Sequence, residues 1–258
     1  MAQHRPRPGE KRGGKGNRKV TAMVETCDLL AFGAHPDDVE IGMGGTIAKY
    51  VRRGYRAVIC DLTKAELSSN GTVDERQKEA AEAAHRLGVS ERLNLELPDR
   101  GLYVEEEAIR RIVAVVRRYR PRLVFAPYWE DRHPDHGQCA RLVEEAVFSA
   151  GIRRYGDGEL GDAHRVRSVY YYMINAFCRP HFLVDISETA QDKLASLRAY
   201  ESQFEKRPGS VDTPLTNNYI EMIESRERWF GQQIGAEYAE GFLAKTPIHL
   251  FDLFEGVR

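Results

Sequence analysis

From Cys27 onward the chain alternates short apolar runs with amphipathic segments, and no other feature restricts its fold as strongly. The runs are 28–33, Ala57-Val58-Ile59-Cys60-Asp61-Leu62, Leu93 to Leu97, and Leu123-Val124-Phe125-Ala126. Each has the length of a buried strand. Between them, Met43 to Arg53 carries Met43, Ile47, Tyr50 and Val51 at helical spacing and stops at Gly54. Asp74 to Leu87 places alanines on one face and ends at Gly88. Glu105 to Tyr119 aligns Ile109, Ile112, Val113 and Val116, with Pro121 just beyond. This β-α-β-α-β-α-β order predicts an α/β, Rossmann-like, mostly parallel sheet with right-handed crossovers and helices on both faces. A helix at Cys139 to Ser149, strands at Val169 to Ile174 and 182–184, a helix at 188–204 and a helical Asn218 to Ala239 segment complete the expected order.

The 258 residues, 42% of them hydrophobic, suffice for one good-sized core. Residues 1–22 are basic, rich in Gly and Pro and nearly free of apolar side chains, so they are expected to be a disordered tail, with Met23 as the natural start. Residues 23–258 are expected to form a single domain. A formal net charge of −1 favours neither nucleic acid nor an anionic membrane surface as a partner. No apolar run approaches the roughly 18 residues of a membrane span, and the N-terminus lacks the apolar core of a secretory signal. Cys27, Cys60, Cys139 and Cys178 form no C-x-x-C pair, so reduced, buried thiols and a cytoplasmic location are expected.

Two polar loops carry the chemistry. The first strand runs into Ala34-His35-Pro36-Asp37-Asp38, followed by the glycine-rich Ile41-Gly42-Met43-Gly44-Gly45. The strand at 123–126 runs into Glu130-Asp131-Arg132-His133-Pro134-Asp135-His136. Parallel strands point the same way, so both loops reach the carboxyl edge of the sheet, where open α/β sheets bind ligands. Two imidazoles and one carboxylate, as in His35, Asp38 and His136, make the ligand set of a catalytic zinc site. The same set suits Fe(II), so residue types leave the metal open. A carboxylate beside a ligand can act as general base, and spacing does not decide whether Asp37 or Asp38 takes which part. His133 and His136, three apart at a helix start, share a face. Asp135 is placed to orient an imidazole and favour its protonated form. His85, His164, His181 and His249 stand alone and are expected at the surface or as satisfied core positions.

The pair of motifs Ala34-His35-Pro36-Asp37-Asp38 and His133-Pro134-Asp135-His136 resembles the signature of the LmbE/PIG-L family of zinc-dependent N-deacetylases. A narrower set resembles the family's bacillithiol-pathway branch, which deacetylates N-acetylglucosaminyl-malate. It comprises Asp61-Leu62-Thr63, Glu66-Leu67-Ser68-Ser69-Asn70-Gly71-Thr72, Glu130-Asp131-Arg132, Thr213-Pro214-Leu215, Tyr219-Ile220-Glu221 and Glu237-Tyr238-Ala239-Glu240-Gly241-Phe242. The resemblance implies His35, Asp38 and His136 as zinc ligands and Asp37 as general base. It implies His133 as the group that stabilises the oxyanion or protonates the leaving amine, oriented by Asp135. Glu66 and Arg76 match sugar-contacting positions, Arg132 suits a malate carboxylate, and Arg165 and Tyr219 match positions near the pocket. Ala65 departs from the pattern, since relatives often have glycine there. A small-molecule glycoside substrate and a homo-oligomer, with Trp229, Phe230 and Phe242 available to an interface, follow from the same resemblance. Mycothiol-type and lipid-linked glucosamines share the core chemistry.

Two rival readings come from other classes. A nucleotide-binding α/β protein using Gly42-Met43-Gly44-Gly45 lacks the G-x-G-x-x-G spacing, and those glycines serve equally for close helix-to-strand packing or a turn. A metal-stabilised binding module needs a closed ligand shell, and the two loops offer more carboxylates and imidazoles than such a shell requires.

Overall fold

The computed structural model of the protein describes residues 26–249, so the expected tail at 1–22 lies outside the described residues. Among the described residues, seven strands form one sheet in the order β3-β2-β1-β4-β5-β7-β6. They are β1 (Leu29–Gly33), β2 (Ala57–Asp61), β3 (Glu91–Asn94), β4 (Leu123–Pro127), β5 (Ser168–Tyr172), β6 (Phe182–Asp185) and β7 (Ala239–Leu243). The first five pair in parallel, and β7 runs antiparallel to both β5 and β6. The helices are α1 (Asp38–Arg52), α2 (Val73–Leu87), α3 (Glu106–Tyr119), α4 (Pro134–Ala150), α5 (Ala190–Leu197), α6 (Glu201–Phe204) and α7 (Tyr219–Gln233).

Alternate residues of the central strands feed two cores. Leu30, Phe32, Val58, Cys60 and Val124 pack with the α3 and α4 side chains Ile112, Val116, Leu142 and Val143. Leu29, Ala31, Ile59 and Phe125 pack on the other face with Ile47, Ala80, Leu197 and Ile223 of α1, α2, α5 and α7. Strands covered on both faces read as unbroken apolar runs, which is why the sequence shows them. From β1 the chain winds outward to β2 and β3, then returns to place β4 on the other flank of β1. The loops after β1 and β4 therefore border the crevice where the winding reverses, the favoured ligand site of such sheets.

The glycines after β1 serve packing. A Cβ on Gly42 would stand 2.0 Å from the Tyr172 ring, and one on Gly45 would stand 2.6 Å from Ile186. Only hydrogen fits there, so α1 lies close against β5 and the segment that follows β6, and these glycines sit inside a helix rather than in a phosphate loop.

Several boundaries differ from expectation. Helix α1 starts at Asp38 instead of Met43, whose φ of −151° marks a break within it. Helix α4 starts at Pro134, because proline is favoured at a first helical position and His133 caps it. β3 is Glu91–Asn94 rather than 93–97, since an edge strand held only by β2 carries a weak apolar signal. The expected 188–204 helix breaks into α5 and α6. The expected 218–239 helix ends at Gln233, and Gly235 at φ 71° turns the chain into β7. Apolar patterning does not reveal that strand because the charged Glu240, which is 1% exposed, and Gly241 interrupt it. Its carboxylate accepts the Gly45 and Thr46 N–H groups and pairs with buried Lys193, partners far away in sequence. Phe230 and Phe242 are core residues, unavailable to an interface, whereas Trp229 is 48% exposed. No helix among the described residues is long and apolar enough to cross a membrane.

Candidate active site

His35, Asp37 and Asp38 leave the end of β1, and His133, Asp135 and His136 form the first turn of α4 directly after β4. The two loops meet. Asp38 Oδ1 lies 3.2 Å from His136 Nε2, and its Oδ2 lies 3.6 Å from His35 Nδ1. Behind each ring stands a second carboxylate: Asp131 Oδ1 is 2.9 Å from His136 Nδ1, and Asp99 Oδ1 is 3.2 Å from His35 Nε2. With a cation held between the rings, those outer carboxylates would take the ring protons on the outer nitrogens and leave each inner nitrogen's lone pair for the cation beside Asp38. Lone pairs facing a carboxylate at this distance repel unless a proton or cation lies between them. The donor set fits a divalent metal, and His133 widens it, with ring nitrogens of His35, His133 and His136 all within 4.8 Å of one another.

The electrostatics agree. Against the penalty of burial, Asp135, Asp38 and Asp99 hold the His35 imidazole well above its ordinary range. Burial likewise opposes His136, yet Asp38 and Asp131 raise it to about 9. Asp38, although buried, is held well below the carboxylate range by His136 and His35. Each group favours its charged form because this ring of carboxylates and imidazoles attracts positive charge.

Asp37 is different. It caps α1 in the left-handed region at φ 109°, and burial pushes its carboxyl up to about 7 against the opposing pull of Arg76. Arg76 Nη2 donates to Asp37 Oδ2 at 3.0 Å and to the Pro36 carbonyl, while Nη1 donates to Ser68 Oγ and Gln203 Oε1. Arg76 lines the cavity, but both its terminal nitrogens are taken by Asp37 and its supports, where a sugar contact was expected.

His133 and Asp135 also depart from expectation. Asp135 binds Arg100 through both its oxygens and stands 3.5 Å from His35 Nε2, so the imidazole it faces is His35 and not His133. His133 Nδ1 instead accepts the Asp135 N–H at 3.3 Å, which leaves the ring proton on Nε2. Burial, then His136 and His35, lower its basicity, so it is a neutral donor rather than the expected imidazolium.

A cavity of about 320 Å³ opens over the cluster, lined by His35, Asp37, Asp38, His133 and His136 with Arg100, Arg132, Leu67 and Leu215 among its walls. Arg132 is exposed at its rim and donates to Asn175 Oδ1 at 3.0 Å. Tyr219 supports that wall from behind, its hydroxyl donating to the Ile174 carbonyl at 3.2 Å, and does not line the cavity. Glu66 does not line it either: the carboxylate accepts the Asp99 N–H at 2.7 Å and ties two loops together. Ala65 before it takes φ 52°, the conformation glycine favours, so the loop keeps its path despite the substitution. Arg165 is exposed and precedes β5, at the amino ends of the parallel strands. It stands at the opposite edge of the sheet from the site, because proximity in sequence to a strand does not say which end faces the ligand. A second cavity, also about 320 Å³ and lined by Leu29, Tyr50, Leu123, Phe125 and Tyr170, has no imidazole in its walls. Asp99, Arg100 and Asp131 are the site residues that sequence reasoning missed. Asp131 lay within a quoted motif, and Asp99 and Arg100 in a loop with no signal of their own.

A family model, that of the GlcNAc-PI de-N-acetylases (PIG-L), matches residues 30–147, a stretch that carries both loops. The diacetylchitobiose deacetylase of Thermococcus kodakarensis is 32% identical over 226 residues, 83% of this chain and 81% of its own length. The chain belongs to the PIG-L family of deacetylases. A 1D-myo-inositol 2-acetamido-2-deoxy-alpha-D-glucopyranoside deacetylase of Kineococcus radiotolerans is 30% identical to this PIG-L protein over 184 residues, 54% of this chain and 50% of that one. A crystal structure of a conserved protein from Thermus thermophilus superposes with a TM-score of 0.81 at 38% identity, covering 88% of this PIG-L chain and 99% of its own.

Proposed function

We propose that this PIG-L protein hydrolyses the acetamide of a small N-acetylglucosamine-containing glycoside, releasing acetate and the free amine. The observation that carries the reading is Asp38, set between ring nitrogens of His35 and His136 with a carboxylate behind each ring. His35, Asp38 and His136 would hold the metal: zinc suits two imidazoles and one carboxylate, and Fe²⁺ is the alternative for the same set. A divalent ion held there supplies the Lewis acidity that makes water a nucleophile near neutral pH. Asp37 accepts the proton of the attacking water; Arg76 engages Oδ2, which leaves Oδ1 for the transfer. The neutral His133 donates its Nε2–H to the oxyanion of the tetrahedral intermediate. Asp37 then returns the proton to the departing amine.

The finer substrate reading is N-acetylglucosaminyl-malate, the bacillithiol precursor. Arg132 and Arg100 at the cavity wall support an anionic aglycone, since a guanidinium pairs with carboxylate bidentately. A second reading, a chitobiose or an inositol glycoside, draws on the names of the relatives. Acetate release from N-acetylglucosaminyl-malate, diacetylchitobiose, N-acetylglucosaminyl-inositol and free N-acetylglucosamine separates them. A malate rate that exceeds the others and falls in Arg132→Ala is expected; equal rates would overturn the anionic reading, and negligible rates on all four would overturn the function. For the roles, Asp37→Ala is expected to keep stoichiometric metal and lose activity by ~10²–10⁴-fold, while His136→Ala loses the metal. Retained turnover in Asp37→Ala would remove Asp37 as the base.

Exposed Phe177 and Trp229, with ring centroids 5.0 Å apart, support a homo-oligomer, and light scattering of a monomer at micromolar concentration would refute it. Four unpaired cysteines support a reducing, cytoplasmic setting.

A further inference from the structure

Asp131 takes no part in the proton transfers above, yet its side chain is 1% exposed at the centre of the second loop. Its Oδ1 accepts the His133 N–H at 2.9 Å and the Asn175 side-chain N–H at 3.0 Å, and lies 2.9 Å from His136 Nδ1. Its Oδ2 accepts the backbone N–H groups of Asn175 at 2.9 Å and Ala176 at 3.2 Å. Four N–H donors and the His136 ring nitrogen converge on one carboxylate from three places. They are the metal-facing ring, the cap of α4, and the loop after β5 whose Asn175 holds Arg132.

We infer that Asp131 is the positioning residue of the site, one carboxylate that sets the ring of His136, the register of His133 and the wall carrying Arg132 against one another. Four N–H groups donate to it across both oxygens, so only an acceptor on both satisfies the place; an amide would turn N–H groups toward N–H groups. With a metal held at the site, a proton fixed on His136 Nδ1 would leave Nε2 free to ligate, and outer carboxylates of this kind raise the basicity of a ligating imidazole. The loop contacts add a second consequence, because Arg132 at the cavity wall donates to Asn175, which Asp131 holds at two atoms.

The inference rests on the reading of His136 as a metal ligand, and three variants keep the two apart. In the metal-replete protein, Asp131→Ala and Asp131→Asn are expected to weaken metal affinity about 10–100-fold in chelator competition, Ala more than Asn. Both should change the visible absorption of the cobalt-substituted enzyme and raise KM for the N-acetylated glycoside. Asn175→Ala, which leaves the Asp131–His136 contact in place, is expected to raise KM with metal affinity unchanged. Wild-type metal affinity and an unaltered cobalt spectrum in Asp131→Asn would overturn the inference, and so would loss of metal affinity in Asn175→Ala equal to that in Asp131→Ala. If Asp131→Ala does not fold, Asp131→Asn, which keeps the volume and one oxygen, decides alone. Full metal retention in His136→Ala would instead overturn the ligand assignment on which it rests.

Discussion

At the scale of single residues, the adjacent carboxylates Asp37 and Asp38 are divided by what surrounds them. Asp38 faces two imidazoles and stays ionised, whereas Asp37 is buried beside one arginine and sits near neutrality, where a base is most effective. Backbone in the left-handed region costs a non-glycine residue of order 1–3 kcal/mol, and Arg76, bonded to both Asp37 and Pro36, holds Asp37 there. Arg76→Met should therefore act twice. Both partners are nearly fully buried, so stranding Asp37 costs about 3 kcal/mol of stability, readable as a lower denaturant midpoint. Arg76 also lowers the Asp37 pKa; without it that pKa rises, and the acidic limb of the pH–kcat profile should move to higher pH. An unmoved limb would mean that Arg76 does not tune the base. The two carboxylates were visible in the sequence, but the arginine that distinguishes them comes from α2, 39 residues on.

At the scale of elements, the site depends on how closely α1 lies against the sheet. Tyr172 closes over Gly42 and donates its hydroxyl to the Phe32 carbonyl at 2.6 Å, one residue before the first loop begins to turn. Gly42→Ala would improve helix propensity locally, yet its Cβ would overlap the ring. Overpacking of this kind costs ~2 kcal/mol, which in a domain of this size lowers Tm by roughly 4–8 °C. A Tm equal to wild type would show that α1 can move away without cost. Below the same helix, Lys193, Glu227 and Glu240 form a buried charge cluster in which Lys193 also donates to the Ile41 carbonyl at 2.8 Å. That cluster joins α1, α5, α7 and β7, and it explains why β7 carries a charge where a strand is otherwise apolar.

At the scale of the whole molecule, the proposed metal ligands come from both flanks of the switch point, so a cation bound there would tie the β1 and β4 halves of the sheet together. Ligand that binds only the folded state stabilises it by about 2.7 kcal/mol at a hundredfold excess over Kd. Removal of metal with a chelator is expected to abolish turnover and lower Tm by several degrees, and Zn²⁺ should restore both; a Tm indifferent to chelation would argue against a metal held by both loops. The sequence alone determined the α/β class, the parallel core strands and the two His-Pro-Asp loops. Strands buried on both faces must be continuously apolar, and loops that follow parallel strands must share an edge. Tertiary structure alone decided the inserted antiparallel β7, the exclusion of Arg165 to the far edge, the transfer of Asp135 from His133 to His35, and the parts of Asp99, Arg100 and Asp131. Each depends on a hydrogen bond or charge pair between segments remote in sequence or on the direction of a strand. Hydrophobic periodicity records burial; it does not record which polar partner a buried carboxylate meets.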